Sequence, residues 1–364
     1  MSATRATGPS DGDELRGAME ELLLGGSRTW TRRDIAERSG VGSERSAQIW
    51  RALGFPVVDD EARVFTDADV EALRAGERLI AAGLITEDSE TMMARALGHH
   101  LSRLAEWQMH TLGAWLHHAP GASGASGASG DEAAFLDHAT ALLPEIELLQ
   151  RHVWRRHLAA HAARMLADAP GNAADAPGRR PGPGTVTEAR ADADVRHLAV
   201  GFSDMVGYTR MTRGLDSTAL VRVIDRFESL TGDVVAEGRG RVVKTIGDEV
   251  LFVAESASAA AAIALELTAR AQAEQSLPEV RTGLAHGPVL QRFGDVYGAA
   301  VNIAARLTAV ARPHTVLVDT AFAGELAGAA AHRLKVLRPV SVRGYSRLRP
   351  VLLRPAGPAG SSRS

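Results

Sequence analysis

Two β-rich runs, RVVKTI (241–246) and EVLFVA (249–254), are separated by Gly247 and Asp248 alone. Two residues suffice for a tight hairpin, whereas a parallel pair would need a crossover of about a dozen residues or more. Antiparallel pairing is therefore built into the second half of this chain. The flanking segments fit around it. LAVGFSD (198–204) is a short apolar run ending in an acid, 216–236 reads as an amphipathic helix, and 256–274 is alanine-rich and helical. VRTGLAHGPV (280–289) is strand-like, VNIAARLTAV (301–310) is helical, and TVLVD with later strand-like pieces closes the unit. The pattern predicts an α+β domain over 196–355, an antiparallel-rich sheet with helices on one face.

The first half has a different texture. From 11 to 167, apolar residues recur at three- and four-residue spacing, which predicts an all-helical domain. Thr31 with Asp34, and Thr66 with Asp69, read as capping boxes. Residues 31–56 read as a helix-turn-helix-like pair around Ser39, Gly40, Val41 and Gly42. The stretch 97–116 sets Leu101, Leu104, Met109, Leu112 and Trp115 in a heptad-like seam, expected to be core or a dimer contact. GASGASGASG (121–130) is expected to be a flexible insert, and the Pro/Gly/Ala-rich 168–195 a linker. Residues 1–10 and 356–364 are expected to be disordered.

Composition narrows the chemistry. The chain has no cysteine, which excludes disulfides and thiolate chemistry. No apolar run approaches the ~18 residues of a membrane helix, and the start lacks a signal-peptide pattern, so a cytoplasmic protein without a membrane span is expected. Residues 1–170 hold 17 Arg against 25 acids, a net of −8, and residues 171–364 hold 24 basic against 19 acidic residues, a net of +5. A polyanionic ligand suits the second half better. Only two of the 41 basic residues are lysine, Lys244 and Lys335, so a lysine at 244 asks for a reason.

Asp204 stands where the first strand ends, before a glycine-containing turn into a helix, and Asp248 stands at the hairpin tip. If those strands are neighbours, two carboxylates converge beside the N–H groups of a helix start. That arrangement can hold a metal pair and a polyphosphate.

Three segments carry a resemblance. FSDMVGYTRM, VVKTIGDEVLFV and GDVYGAAVNIAARL resemble, in order and at fitting separations, the signature segments of class III nucleotide cyclases. The resemblance covers 196 to about 320 and implies a ferredoxin-like, palm-type catalytic domain. It further implies that Asp204 and Asp248 bind two divalent cations, Mg2+ or Mn2+, and that Gly207, Tyr208 and Thr209 give backbone contacts to the triphosphate. Lys244 and Asp295 would read the adenine edge, Asn302 would orient the ribose, and Arg306 would stabilise charge on phosphorus. ATP is then the substrate and cyclic AMP the product. Because the family builds its site from two catalytic domains, a homodimer is implied.

Guanylate cyclase activity is the alternative that Lys244 and Asp295 disfavour. A DNA-binding regulator that senses nucleotide is another: 31–56 resembles the helix-turn-helix of MerR-like regulators, with Arg45, Gln48 and Arg51 on its second helix. The net charge of −8 argues against DNA as a partner. Residues 11–167 also resemble the helical regulatory domain of some actinobacterial cyclases. Nine of 13 histidines fall between 99 and 161, which makes protons a candidate signal beside a small regulatory molecule.

Overall fold

The structure is a computed structural model that describes residues 11–118, 128–167 and 195–356, which fall into two compact units, 1–178 and 179–364. The segments expected to be disordered or flexible at 1–10, 121–127, 168–194 and 357–364 lie outside the described residues. Residues 128–130, the end of the expected insert, instead open a helix, and Val195, the last expected linker residue, opens a strand.

The first unit is helical: α1 (Asp11–Leu24), α2 (Arg32–Ser39), α3 (Ser43–Ala52), α4 (Asp67–Ala81), α5 (Glu87–His118) and α6 (Ala128–Ala167). Both capping boxes form. Thr31 Oγ1 accepts from the Asp34 N–H at 3.2 Å while the Thr31 N–H donates to Asp34 Oδ2 at 2.9 Å, and Thr66 pairs with Asp69 likewise. Gly40 ends α2 in the left-handed region, φ +78°, where a side chain would be strained. Ile35, Phe65 and Val70 form a small core flanked by Trp30 and Trp50. Of the expected seam, Leu104 and Leu112 are half-buried, whereas Leu101 and Met109 are exposed.

In the second unit the sheet comprises β1 (Val195–Met205), β2 (Arg241–Ile246), β3 (Glu249–Ala254), β4 (Val280–Arg292), β5 (Asp295–Tyr297), β6 (Val316–Val318), β7 (His332–Val336) and β10 (Val351–Pro355). A separate ribbon pairs β8 (Val340–Val342) with β9 (Tyr345–Leu348). The order is β2-β3-β1-β4-β6-β10-β7, with β5 on β4, and among these only β4–β6 is parallel. The helices are α7 (Tyr208–Met211), α8 (Ser217–Glu237), α9 (Ala257–Ala273), α10 (Ala299–Val310) and α11 (Thr320–Glu325).

The expectation of helices on one face needs correction. The central strands are apolar on both sides, so both sides must be covered. Ala199 and Phe252 join α8 and α9 residues such as Phe227, Val234, Ile263 and Leu267 in one core. Leu198, Val200 and Phe202 pack on the other side with Ala300 and Ala304 of α10. Gly283 of β4 sets how close α10 can come, since a Cβ there would lie 2.3 Å from the Thr308 nitrogen. Thr308 Oγ1 then donates to the Phe202 carbonyl at 3.1 Å, tying α10 to β1.

Candidate active site

β1 brings its last acid into a crowded corner. Asp204 is the antiparallel partner of Glu249 on β3 and of Arg281 on β4. The two-residue turn of the β2–β3 hairpin has Gly247 at φ +63°, and the Met205 N–H donates to the Asp248 carbonyl at 3.0 Å. Strand end and hairpin tip thus adjoin. Burial pushes the Asp248 carboxyl above its ordinary range, and the nearby Asp204 carboxylate adds to the rise.

Sequence reasoning missed two members of this corner. Arg281 donates from Nε (2.7 Å) and Nη2 (2.6 Å) to Asp204 Oδ2, and from Nη1 to the Ala309 carbonyl (3.2 Å). Glu249 is raised to about 7, by burial first and then by Asp204 and Asp248, with Arg281 acting against them. The available signals were weak: an arginine near the start of a largely apolar strand, and an acid directly after Asp248.

A second pair forms elsewhere. Lys244 donates from Nζ to Asp295 Oδ2 at 2.5 Å, and the Val296 N–H donates to Oδ1 at 2.8 Å. Burial alone would raise Asp295, but these hydrogen bonds outweigh it and hold the carboxyl below its usual range. A register shift between Val242 and Lys244 marks a bulge in β2, a common device for re-aiming a side chain. Asn302 and Arg306 are one helical turn apart on α10. Its buried residues are Ala300, Ala304, Leu307 and Thr308, so Asn302 and Arg306 lie on the side away from the sheet. Among the described residues no hydrogen bond or ion pair links Lys244, Asp295, Asn302 or Arg306 to Asp204 or Asp248. Gly207 adopts φ +80° and caps α7, whose first-turn N–H groups, those of Tyr208 and Thr209 among them, lack intrahelical partners.

The donor chemistry at Asp204 and Asp248 fits a hard divalent cation: two partly buried carboxylates, of which Asp248 is made costlier to ionise by burial and by Asp204. Arg281 engages Oδ2 of Asp204 and leaves Oδ1 to other partners. Among the described residues no three His, Asp or Glu side chains form a closed cage. Two protein carboxylates, with water and phosphate oxygens completing the shell, is how Mg2+ is usually held.

Residues 13–158 match the model of the adenylate cyclase regulatory domain, and residues 192–354 that of the adenylate and guanylate cyclase catalytic domain. A Streptomyces coelicolor protein named adenylate cyclase is 40% identical over 86% of this chain and 76% of its own length. One from Glutamicibacter nicotianae with the same name is 34% identical over 94% of this chain and 83% of its own. A Mycobacterium tuberculosis protein named pH-sensitive adenylate cyclase is 31% identical over 84% of this chain and 74% of its own. The chain belongs to the class III adenylate cyclases that carry this N-terminal regulatory domain.

Proposed function

We infer that the protein cyclises ATP to 3′,5′-cyclic AMP and releases pyrophosphate, at sites shared between two copies of the chain. The observation that carries this reading is the division within one chain: Asp204 and Asp248 gather at one corner, and among the described residues no hydrogen bond or ion pair joins the Lys244–Asp295 pair, Asn302 or Arg306 to them. A two-fold dimer would bring the first set of one copy to the second set of its partner, giving two equivalent sites.

In that site the ribose 3′-oxygen attacks the α-phosphorus, and the bond to the pyrophosphate oxygen breaks. Divalent cations on Asp204 and Asp248, two Mg2+ or Mn2+, would supply polarisation of the attacking oxygen and neutralise phosphate charge. Arg306 places a planar guanidinium where charge grows on the phosphorus oxygens. Asn302 orients the ribose, and the N–H groups of Gly207, Tyr208 and Thr209 receive the triphosphate. Lys244 donates to an adenine ring nitrogen and Asp295 accepts from the exocyclic amine; their mutual hydrogen bond keeps both side chains in place. Guanine would set its carbonyl against Asp295 and a protonated nitrogen against Lys244, which costs about 1–3 kcal/mol for each unpaired group. Purified full-length protein with Mn2+ is expected to turn over ATP faster than GTP, and Asp295→Asn to shrink that ratio about 10-fold. A wild-type preference for GTP overturns the base assignment.

The 11–167 region is read as the control domain, with protons as its signal. Support comes from the relative named pH-sensitive and from the histidines of α5 and α6, where His99 and His100 stack edge to face at 5.4 Å. Control through DNA is disfavoured by Arg45. Rather than facing outward, its guanidinium is held by Glu77 and Glu90 at 2.7 Å each, with Glu87 at 3.7 Å.

A further inference from the structure

From Leu326 to the last residue the sequence contains no aspartate or glutamate, and it carries eight of the 41 basic residues. Seven of those eight are described, and all seven are exposed. The sheet register gathers them. Arg333 of β7 lies directly opposite Arg354 of β10, and Lys335 opposite Leu352. Leu352 belongs to the small core on which the β8–β9 ribbon packs through Val340, Val342 and Tyr345. Because cross-strand partners share a face, Arg333, Lys335 and Arg354 lie on the same side as the ribbon, which adds Arg343 and Arg347. Arg338 and Arg349 flank the hydrogen bond from the Leu337 N–H to the Pro350 carbonyl, 2.9 Å. None of the seven makes an ion pair among the described residues.

Like charges directly opposite in a sheet repel. A surface that tolerates Arg333 against Arg354 with no acid paired to either among the described residues is suited to an external anion. A second copy of the same face is excluded as the partner, since two-fold pairing would set cation on cation. Nucleic acid fits poorly: the ribbon is packed down rather than projecting toward a groove, and Tyr345 is half-buried in the core instead of free to stack on a base. What remains is a broad cationic surface, since the exposed Val336 and Leu334 of the outermost strand alternate to the opposite sheet face, that of Val351 and Leu353. A broad, open array of exposed cations matches the anionic headgroup layer of an acidic bilayer. We propose that the basic face formed by β7, β10 and the β8–β9 ribbon docks this protein on an anionic phospholipid surface.

The test is co-sedimentation of the full-length protein with phosphatidylcholine vesicles, with and without about 30% phosphatidylserine, a content of acidic lipid that gives a cytoplasmic-type surface potential. Binding is expected only with phosphatidylserine and is expected to vanish in high salt, where the field is screened. The variant R343Q/R347Q/R354Q should partition about 100-fold more weakly, on about five-fold per cation, and keep its vesicle-free cyclase activity. Should that variant fold poorly, Arg347→Gln alone still reads about five-fold. Absence of phosphatidylserine-dependent binding, or unchanged binding by a folded triple variant, overturns the proposal. So does tighter binding to duplex DNA than to vesicles at equal anionic charge and salt.

Discussion

The two units are each left incomplete, but in different currencies. In the catalytic unit the sheet is covered on both faces, and Leu198, Val200, Phe227, Phe252 and Leu284 are all at or below 1% exposure. Among the described residues, what it leaves without a hydrogen-bond or ion-pair partner is polar: Arg306 and Asn302, on the outer side of α10. The helical unit is the reverse. Its charges find partners, as in the Arg45 cluster with Glu77, Glu87 and Glu90, while Trp107, Leu149 and Trp154 are more than 60% exposed along α5 and α6. Large exposed apolar stretches mark interaction surfaces. One unit is short of chemistry in a single copy and the other is short of burial, and the dimer proposed above would answer both needs.

The largest effect tests the catalytic side of that contrast. Arg306→Ala is expected to lower kcat about 100- to 1000-fold, as for loss of one charge-stabilising donor, and Asp204→Ala to abolish turnover. Mixing the two dead chains should restore one working site per mixed dimer. With random pairing that is about a quarter of wild-type activity. Full inactivity of the mixture, with mixed dimers verified by two affinity tags, would show that each chain completes its own site and that the division of residues has another cause.

A smaller effect tests the helical side. If α5 and α6 transmit a proton signal, full-length activity should change between pH 8 and pH 6 by about five-fold or more, the usual size of coupling between sites. A full-length variant with His99, His100, His110, His138, His152, His157 and His161 changed to Gln should lose that excess. Superimposable profiles would leave those seven side chains as surface residues without a collective role.

What could be read in advance was local. The capping boxes at Thr31 and Thr66 need residues three apart, and the β2–β3 hairpin needs a two-residue turn, so both were legible. The meeting of Asp204 and Asp248 followed once the strands were taken as neighbours. Arg281 was not legible, because its place beside Asp204 depends on the β1–β4 register, 77 residues apart in sequence. Arg45 misled for the same reason. Its position on α3 suggested an outward face, but its partner Glu90 is 45 residues further along the chain. The second helical layer was missed although it was legible: LAVGF (198–202) and VLFVA (250–254) are continuous apolar runs, as strands buried on both faces are, and not alternating ones.

The smallest effect separates the units by stability. Burial first, and then the charges of Asp204 and Asp248, raise the Glu249 carboxyl from 4.5 to about 7, so the folded chain keeps a proton that the unfolded chain releases. The sign follows directly. This contribution to stability is fully present below about pH 4.5, is lost as pH rises through 7, and is absent at pH 8, where the ionised group is a burden. Glu249→Gln removes the charge at nearly constant shape. In metal-free buffer at pH 8 it should raise the melting temperature of the catalytic unit by about 2–4 °C, the scale of a partly screened charge in a domain of this size. At pH 4.5 the two proteins should melt together. A gain of equal size at both pH values would trace the effect to packing rather than charge. A fall at pH 8 would mean that the glutamate is held by a partner stronger than the repulsion of its neighbours.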